Sequence, residues 1–381
     1  MPVFERIRLR EVHWLPLVLA LLLTVFGAVF VVSSTLDPST GWGREARMQL
    51  AWITLSCGAC LVSMHIPLMV WRDSAPATYI ALLLTQAFMM IMAGTTLVPT
   101  IKGAHNWIAL GSLRIQPSEF YKIATLLMCA RLLTIPEADP RRFAWSFLVL
   151  ACGGLPALLL VREDLGSALT FFPMVLGMLF FAGMRLRHLA GIILLTGLAV
   201  AAGVAVLPQN GYQYRRLQAW LDPQAYALTE GYQTIRTVRS VGSGRFTGKG
   251  YALGEQNLLG YVPESHTDSI YAVIGEETGF VGSCLALLLF LGFTLVLLHA
   301  AARCRQPFGR LFVGGFASLV FGQMTINVMV VLGLMPVTGI TLPFFSYGGS
   351  SMLALYIMLG ITLAASMARR TGFSRSLYAE G

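Results

Sequence analysis

Long apolar runs dominate the pattern of hydrophobic and polar positions along most of the chain. Each run is continuously apolar and does not alternate with polar positions, which is typical of membrane-spanning α-helices. The runs predict an all-α, polytopic integral membrane protein of about ten transmembrane helices. The predicted spans are 14–33, 48–67, 76–98, 118–134, 146–161, 166–183, 188–207, 277–300, 310–334 and 348–368.

One long segment, residues 208–276, departs from this pattern. It lies between the seventh and eighth predicted spans and carries charges, aromatic residues and a cluster of glycines. A long loop in a compact fold is often functional. We expect short helices that lie on the membrane surface near 212–220 and 233–241. No repeat or linker divides the chain, so residues 1–381 form a single predicted domain.

Composition supports the membrane assignment, because 56% of the residues are hydrophobic and only 12% are charged. A soluble domain has about 25% charged residues. The net charge of +9 comes mainly from short basic clusters between the spans, with no basic and aromatic stripe, and therefore argues against a nucleic-acid partner. Lys and Arg gather on one set of connecting segments. This bias predicts that both termini are cytoplasmic and that the loop 208–276 is extracytoplasmic.

The glycine cluster at residues 242–250 has some features of a phosphate-binding P-loop, but its order differs. The P-loop pattern G-x-x-x-x-G-K-[ST] would need glycine at Ser243 and Ser or Thr at Gly250. We therefore expect a tight loop, permitted by its glycines, that holds the following segment in place. The sequence carries neither a zinc-protease nor a serine-hydrolase signature.

Acidic residues gather at the predicted outer ends of several spans, where a charge is costly unless it is paired or faces a polar cavity. Glu119 and Lys122 are three positions apart, so they share a helix face and could form an ion pair that seats the helix end. Asp164 could pair with Arg162 or cap the helix of the sixth span. These structural roles stand beside a role in lining a functional cavity.

Asp268 is the sharpest candidate for chemistry, because it lies where the polar loop enters the eighth span. Partial desolvation at this boundary can tune a carboxylate as a general base. The alternative is another helix cap. Glu264 and His266 lie close by in the sequence, and His266 is the weaker candidate for a base, with positioning as its alternative role.

Several separate motifs, in order, resemble the SEDS family (shape, elongation, division and sporulation) of membrane-embedded peptidoglycan polymerases. The resemblance covers most of the chain beyond about residue 100. Each motif is short, and their order and spacing together make the resemblance specific. The matching stretches are 102–111, 116–122, 212–216, 221–223, 231–233, 242–244, 248–250, 263–264, 266–268, 272–277, 336–339 and 342–350.

The resemblance implies a glycosyltransferase that polymerises lipid II into glycan strands, with Asp268 as the general base and undecaprenyl pyrophosphate as the leaving group. It implies that Trp107, Glu119, Lys122, Asp164, Glu264 and His266 bind substrate or line the cavity. Trp107 could instead be an interfacial anchor. The resemblance implies no definite cofactor and leaves metal dependence open, since Glu119, Asp164 and Asp268 could hold a divalent cation, Mg²⁺ or Mn²⁺.

The implied setting is the bacterial cytoplasmic (inner) membrane. The implied partners are membrane lipids and a class B penicillin-binding protein, the transpeptidase that would cross-link the strand. The P-V-T-G form of the motif at 336–339 resembles the RodA branch, which acts in cell elongation, more than the FtsW branch.

Two departures from the family pattern flank the candidate residues. The family's Q-P-D-L-G-T is here R-E-D-L-G-S, which places Arg162 and Glu163 beside Asp164, and its T-D-F is T-D-S, with Ser269 after Asp268. These departures leave open an altered substrate detail or a divergent paralogue. Two other functions are the alternatives to a polymerase: a transporter (flippase) of the lipid-linked precursor and a non-catalytic cell-wall scaffold. A transporter would carry ionisable groups near the membrane midplane, whereas here they gather at one face.

Overall fold

The computed structural model describes residues 12–37, 41–101, 104–111, 113–139, 143–161, 163–206 and 211–367. The described residues form thirteen helices and two short antiparallel hairpins. The helices are α1 (Leu15–Ser34), α2 (Arg44–His65), α3 (Leu68–Ile91), α4 (Pro117–Leu132), α5 (Phe143–Leu160), α6 (Leu165–Phe181), α7 (Leu186–Val206), α8 (Tyr212–Leu221), α9 (Tyr232–Ser243), α10 (Glu255–Leu258), α11 (Ile270–Arg303), α12 (Pro307–Val331) and α13 (Gly349–Met367). The hairpins pair β1 (Leu36–Asp37) with β2 (Gly41–Trp42), and β3 (Ile108–Leu110) with β4 (Leu113–Ile115).

The all-α membrane fold predicted from the apolar runs is confirmed. Each of the ten predicted spans overlaps one helix, α1 to α7 or α11 to α13. Among the described helices, six are long and apolar enough to cross a membrane, namely α1, α2, α3, α11, α12 and α13. Shorter apolar stretches lie in α5, α6 and α7. The predicted loop helices are present as α8 and α9, whereas the two hairpins were not predicted.

The third span begins at Leu68, earlier than the sequence predicted, because the polar residues Arg72 and Asp73 belong to the helix. Pro76 lies inside α3 and has no N–H to donate to the carbonyl of Arg72, four residues earlier. Arg131 of α4 replaces that donor, since its Nη1 lies 2.9 Å from the Arg72 oxygen. A neighbouring helix thus satisfies the backbone group that proline leaves unpaired, as a membrane interior requires.

The eighth span also begins earlier than predicted, because α11 starts at Ile270 and continues through a kink. Gly279 has a φ of 65° and a ψ of −159° inside this helix. The N-terminal part of α11 therefore belongs to the polar loop and is packed beneath it. Ile270 to Glu277 are all buried.

The polar loop is fastened to α11 around a single buried carboxylate, Glu276, which is 0% exposed. Glu276 accepts hydrogen bonds from Lys249 Nζ at 2.8 Å, from the Gln256 backbone N–H at 2.9 Å and from Ser240 Oγ at 3.0 Å. A buried charge needs this kind of compensation. Glu276 therefore joins α9, the glycine cluster and α10 to one point on α11.

Backbone contacts fix the glycine cluster against the same helix, as the sequence predicted. The backbone N–H groups of Lys249 and Gly250 donate to the carbonyls of Glu276 and Glu277, each at 3.0 Å. A Cβ on Gly244 would lie 1.9 Å from the carbonyl oxygen of Gly275. Only glycine allows the two backbones to approach so closely.

This packing predicts different effects for two nearby glycines. Gly244→Ala should destabilise the protein by roughly 1–3 kcal/mol, the usual cost of overpacking, because its Cβ would collide with a backbone carbonyl. Gly242→Ala is the matched control, since nothing lies within 4 Å of a Cβ at that position. Apparent melting temperatures in detergent compare the variants, and equal values for both would contradict this account of the loop.

Candidate active site

Asp268 lies in the turn that leads into α11, with its side chain half-buried. Two neutral donors hold its carboxylate. Gln233 Nε2, from α9, donates to Oδ2 at 3.3 Å, and Thr267 Oγ1 donates to Oδ1 at 3.3 Å. The carboxylate is thereby oriented while part of its surface remains accessible, which is a suitable arrangement for accepting a proton from a substrate hydroxyl.

The backbone of Asp268 is fixed by Asn327, a residue of α12 that is 1% exposed. Asn327 Nδ2 donates to the Asp268 carbonyl at 2.8 Å and to the Ile340 carbonyl at 2.7 Å. Asn327 was not among the residues predicted from the sequence. The signal that identifies it is an amide in a largely apolar span, which is costly in a membrane unless it is hydrogen-bonded.

The connection between α12 and α13 forms the neighbouring wall of the site. Gly339 is exposed and has a φ of +71°, and a Cβ on it would lie 3.9 Å from Asp268 Oδ2. Tyr347 N–H donates to the His266 carbonyl at 2.8 Å, and Ser346 Oγ donates to the Thr267 carbonyl. The motifs at 336–350 and 266–268, which are far apart in sequence, are therefore adjacent.

Glu264 and His266 lie in the same turn as Asp268. Glu264 Oε2 accepts from Thr267 Oγ1 at 3.1 Å, so Glu264 shares with Asp268 the hydroxyl that orients the carboxylate. The ring of His266 lies 5.7 Å from that of Tyr347 between centroids. These contacts favour positioning roles for both residues.

Glu119 and Lys122 form the ion pair that their spacing predicted. Lys122 Nζ lies 2.8 Å from Glu119 Oε1, and their side chains are only 2% and 8% exposed. The pair lies in the first turns of α4. Because Lys122 is so deeply buried, it acts on groups other than Glu119 through its electrostatic field.

Asp164 is the N-cap of α6, one of the two structural roles that the sequence left open. Its carboxylate accepts from the Ser167 N–H at 2.8 Å and from Ser167 Oγ at 2.7 Å. Gln116 Nε2 donates to it from the start of α4 at 2.9 Å. Arg162, the other predicted partner, lies outside the described residues.

The residues around Asp268 and those at the starts of α4 and α6 meet at the same end of the helix bundle, as predicted from the sequence for the fourth and sixth spans and the loop. Gly166 of α6 packs so closely on the α12–α13 connection that a Cβ there would lie 2.4 Å from the Thr338 carbonyl. Thr338 directly precedes Gly339, which lies beside Asp268. Trp107, half-buried, leads into β3 at this same end.

The predicted cation site at Glu119, Asp164 and Asp268 stays a prediction. Glu119 is neutralised by Lys122, and Asp164 is hydrogen-bonded by Ser167 and Gln116. In the part of the chain that the structure describes, no three His, Cys, Asp or Glu side chains are grouped to hold a metal ion. Glu119 and Asp164 thus already have other partners, and no step below depends on a cation.

The buried ion pair predicts asymmetric effects of substitution. Lys122→Met should destabilise the protein by about 3–5 kcal/mol, because it leaves the Glu119 charge buried and unpaired. The double variant Glu119→Gln/Lys122→Met should be closer to wild type in apparent melting temperature. An equal loss of stability in the single and double variants would show that the charge pair is not the cause.

The environment of Asp164 predicts a pH dependence. Burial raises the pKa of the Asp164 carboxyl, against the hydrogen bonds from Ser167 and the field of Lys122, which lower it. The folded state therefore holds this proton more tightly than the unfolded chain, where the pKa of Asp is about 3.9. The stability that this group contributes is present at low pH and is lost as pH rises through the folded pKa.

Asp164→Asn, which keeps a capping side chain, should therefore lose less stability than wild type between about pH 4 and pH 8. Apparent melting temperatures across this range measure the difference. Asp222→Asn is the control, because Asp222 also caps a turn, by accepting from the Ala225 N–H at 3.2 Å. Parallel curves for wild type and Asp164→Asn would contradict the prediction.

The chain is similar in sequence to a known protein family. The model of the FtsW, RodA and SpoVE family, described as cell cycle protein, matches residues 13–371. A probable peptidoglycan glycosyltransferase FtsW of Geobacter metallireducens is 34% identical over 95% of this chain and 97% of its own length. Peptidoglycan glycosyltransferase MrdB of Escherichia coli is 32% identical over 94% of this chain and 95% of its own.

Solved structures share the fold. RodA of Thermus thermophilus, a rod shape determining protein, has a TM-score of 0.66 and 27% identity over 93% of this chain and 96% of its own. A chain from a peptidoglycan synthase complex, described as coordinating polymerization and crosslinking, has a TM-score of 0.76 and 30% identity. That match covers 93% of this chain and 97% of the other.

Proposed function

The chain belongs to the FtsW, RodA and SpoVE family, the SEDS family, and we propose that it is a peptidoglycan glycosyltransferase that polymerises lipid II. One observation carries the proposal. Asp268, at the end of the polar loop, has a half-buried side chain whose carboxylate is oriented by Gln233 and Thr267. It lies beside the exposed Gly339. A base in this position is accessible to a substrate hydroxyl and held in one orientation.

In the proposed reaction, the 4-hydroxyl of the acceptor GlcNAc attacks the anomeric carbon of the donor MurNAc. Asp268 takes the hydroxyl proton as the new C–O bond forms, because a neutral hydroxyl is a poor nucleophile. The bond from the anomeric carbon to the lipid pyrophosphate breaks, and undecaprenyl pyrophosphate leaves with the electron pair.

The leaving pyrophosphate gains charge, which a cationic group can stabilise. Arg216 of α8 supports this role, because its Nη1 lies 2.9 Å from the carbonyl of Val337, two residues from Gly339. Lys122 is too buried to touch the pyrophosphate directly. We assign it a supporting role through its field on Asp164.

The proposed setting is the bacterial cytoplasmic membrane, with both termini in the cytoplasm and the loop 208–276 outside, since Lys and Arg gather on the connecting segments of one side. The P-V-T-G motif favours a RodA-like role in cell elongation over an FtsW-like role in division. The proposed partner is a class B penicillin-binding protein. The fold similarity to a chain of a peptidoglycan synthase complex supports it.

Lipid II polymerisation by the purified protein, with and without that partner, tests the function. Asp268→Asn should lower the rate by about 10²–10⁴-fold, the usual contribution of a general base. Glu255→Gln is the matched control, a carboxylate of the same loop whose side chain is 72% exposed. Its rate should stay close to wild type. Labelled lipid II and separation of the products by size give the rates.

Two outcomes would favour the alternatives. Equal polymer from wild type and Asp268→Asn would remove the role assigned to Asp268. No polymer, together with ATP-independent movement of lipid II between liposome leaflets, would favour a flippase. If there is neither polymer nor movement, but a transpeptidase is still bound, the protein is a scaffold.

A further inference from the structure

Glu163, one of the residues that depart from the family pattern, makes side-chain contacts with His105 that a proline at this position could not make. Its carboxylate Oε2 accepts from the backbone N–H of His105 at 3.0 Å and lies 3.2 Å from His105 Nδ1. Its carbonyl accepts from Asn106 Nδ2 at 2.9 Å. Glu163 is therefore bonded to two consecutive residues of a distant loop.

The imidazole of His105 is held at both ring nitrogens. Its Nδ1 faces Glu163, and its Nε2 lies 3.0 Å from Thr100 Oγ1. The side chains of His105 and Glu163 are 28% and 26% exposed, so water screens their contact less than that of a fully exposed pair. A histidine ring fixed at both nitrogens has one orientation, and its backbone is fixed with it.

These contacts attach residues 105–116 at both ends to the same short turn. At the first end, His105 and Asn106 are bonded to Glu163. At the second, Gln116 Nε2 donates to Asp164 at 2.9 Å. Trp107 and the β3–β4 hairpin lie between the two attachments. Without the Glu163 side chain, the second attachment would remain and the first would lose its charge-assisted bonds.

We propose that Glu163 is a positioning residue for substrate binding. It holds residues 105–107, which include Trp107, in the conformation that binds the lipid-linked saccharide. The inference rests on the proposed function, because the resemblance to the SEDS family is what gives Trp107 a role in substrate binding. The Glu163 side chain acts through His105 and does not touch the reacting atoms. Its loss should weaken binding of lipid II and leave the chemical step at Asp268 intact.

Steady-state kinetics test this separation of binding from chemistry. Glu163→Ala should raise KM for lipid II about tenfold with little change in kcat, since it removes the charge-assisted hydrogen bond to the His105 backbone and the contact with the His105 ring. The KM of Glu163→Gln should lie between those of wild type and Glu163→Ala, because its amide oxygen can still accept from the His105 N–H. Glu230→Ala is the matched control. It removes an ion pair of 3.1 Å with Arg215, made by a carboxylate that is 19% exposed, and should leave both constants near wild type.

A double-variant cycle and hydrogen exchange show whether the effect passes through His105. His105→Ala should raise KM as Glu163→Ala does, and combining the two should add little further. Amide exchange of residues 104–111 should be faster in Glu163→Ala, while exchange in α9 is unchanged. Additive effects of the two variants, an unchanged KM or unchanged exchange would each overturn the proposal.

Direct binding of labelled lipid II keeps this test separate from that of the polymerase activity. If wild type binds lipid II without polymerising it, the proposed function fails, and weaker binding by Glu163→Ala would still support the positioning role. If wild type polymerises lipid II and Glu163→Ala binds it equally well, only the positioning role fails. If wild type neither binds nor polymerises lipid II, both proposals are overturned.

Discussion

The cost of placing charge at the edge of a lipid bilayer constrains every part of the candidate site. Glu119 and Lys122 meet this cost by pairing at 2.8 Å inside α4, and Glu276 meets it with several donors from the loop. Each pairing also fixes an element, because a buried charge tolerates few positions of its partner. The ion pair thus helps to position the start of α4, and the Glu276 contacts position the loop.

Asp268 is held through both its side chain and its backbone. Gln233 and Thr267 orient the carboxylate, while Asn327 anchors the main chain from α12. The carboxylate and the main chain of Asp268 are thus held from α9, from α12 and from the adjacent Thr267. The same end of the bundle therefore holds buried charges that support the fold and an oriented, half-buried carboxylate.

Residues 105–116 show how a residue that departs from the family pattern can take on a structural role in the site. Proline at position 163 would fix the turn through its ring, whereas Glu163 fixes a neighbouring loop through its carboxylate. Glu163 and Asp164, adjacent in sequence, then have distinct partners: the first bonds His105 and the second caps α6. The added charge at Glu163 is consequently compensated by local contacts.

The sequence by itself determined the all-α membrane fold, a helix at each of the ten apolar runs, the polar loop and the Glu119–Lys122 pair, because hydrophobic runs and helical spacing are local properties. It also singled out Asp268 from its place in the chain. Only the tertiary structure brought Asn327, Gly339 and Gln233 to Asp268, and His105 to Glu163, since these contacts join distant segments. Such pairings depend on how helices pack, which no local pattern encodes. The earlier start of α3 likewise depended on a neighbour, Arg131, to replace the donor that Pro76 lacks.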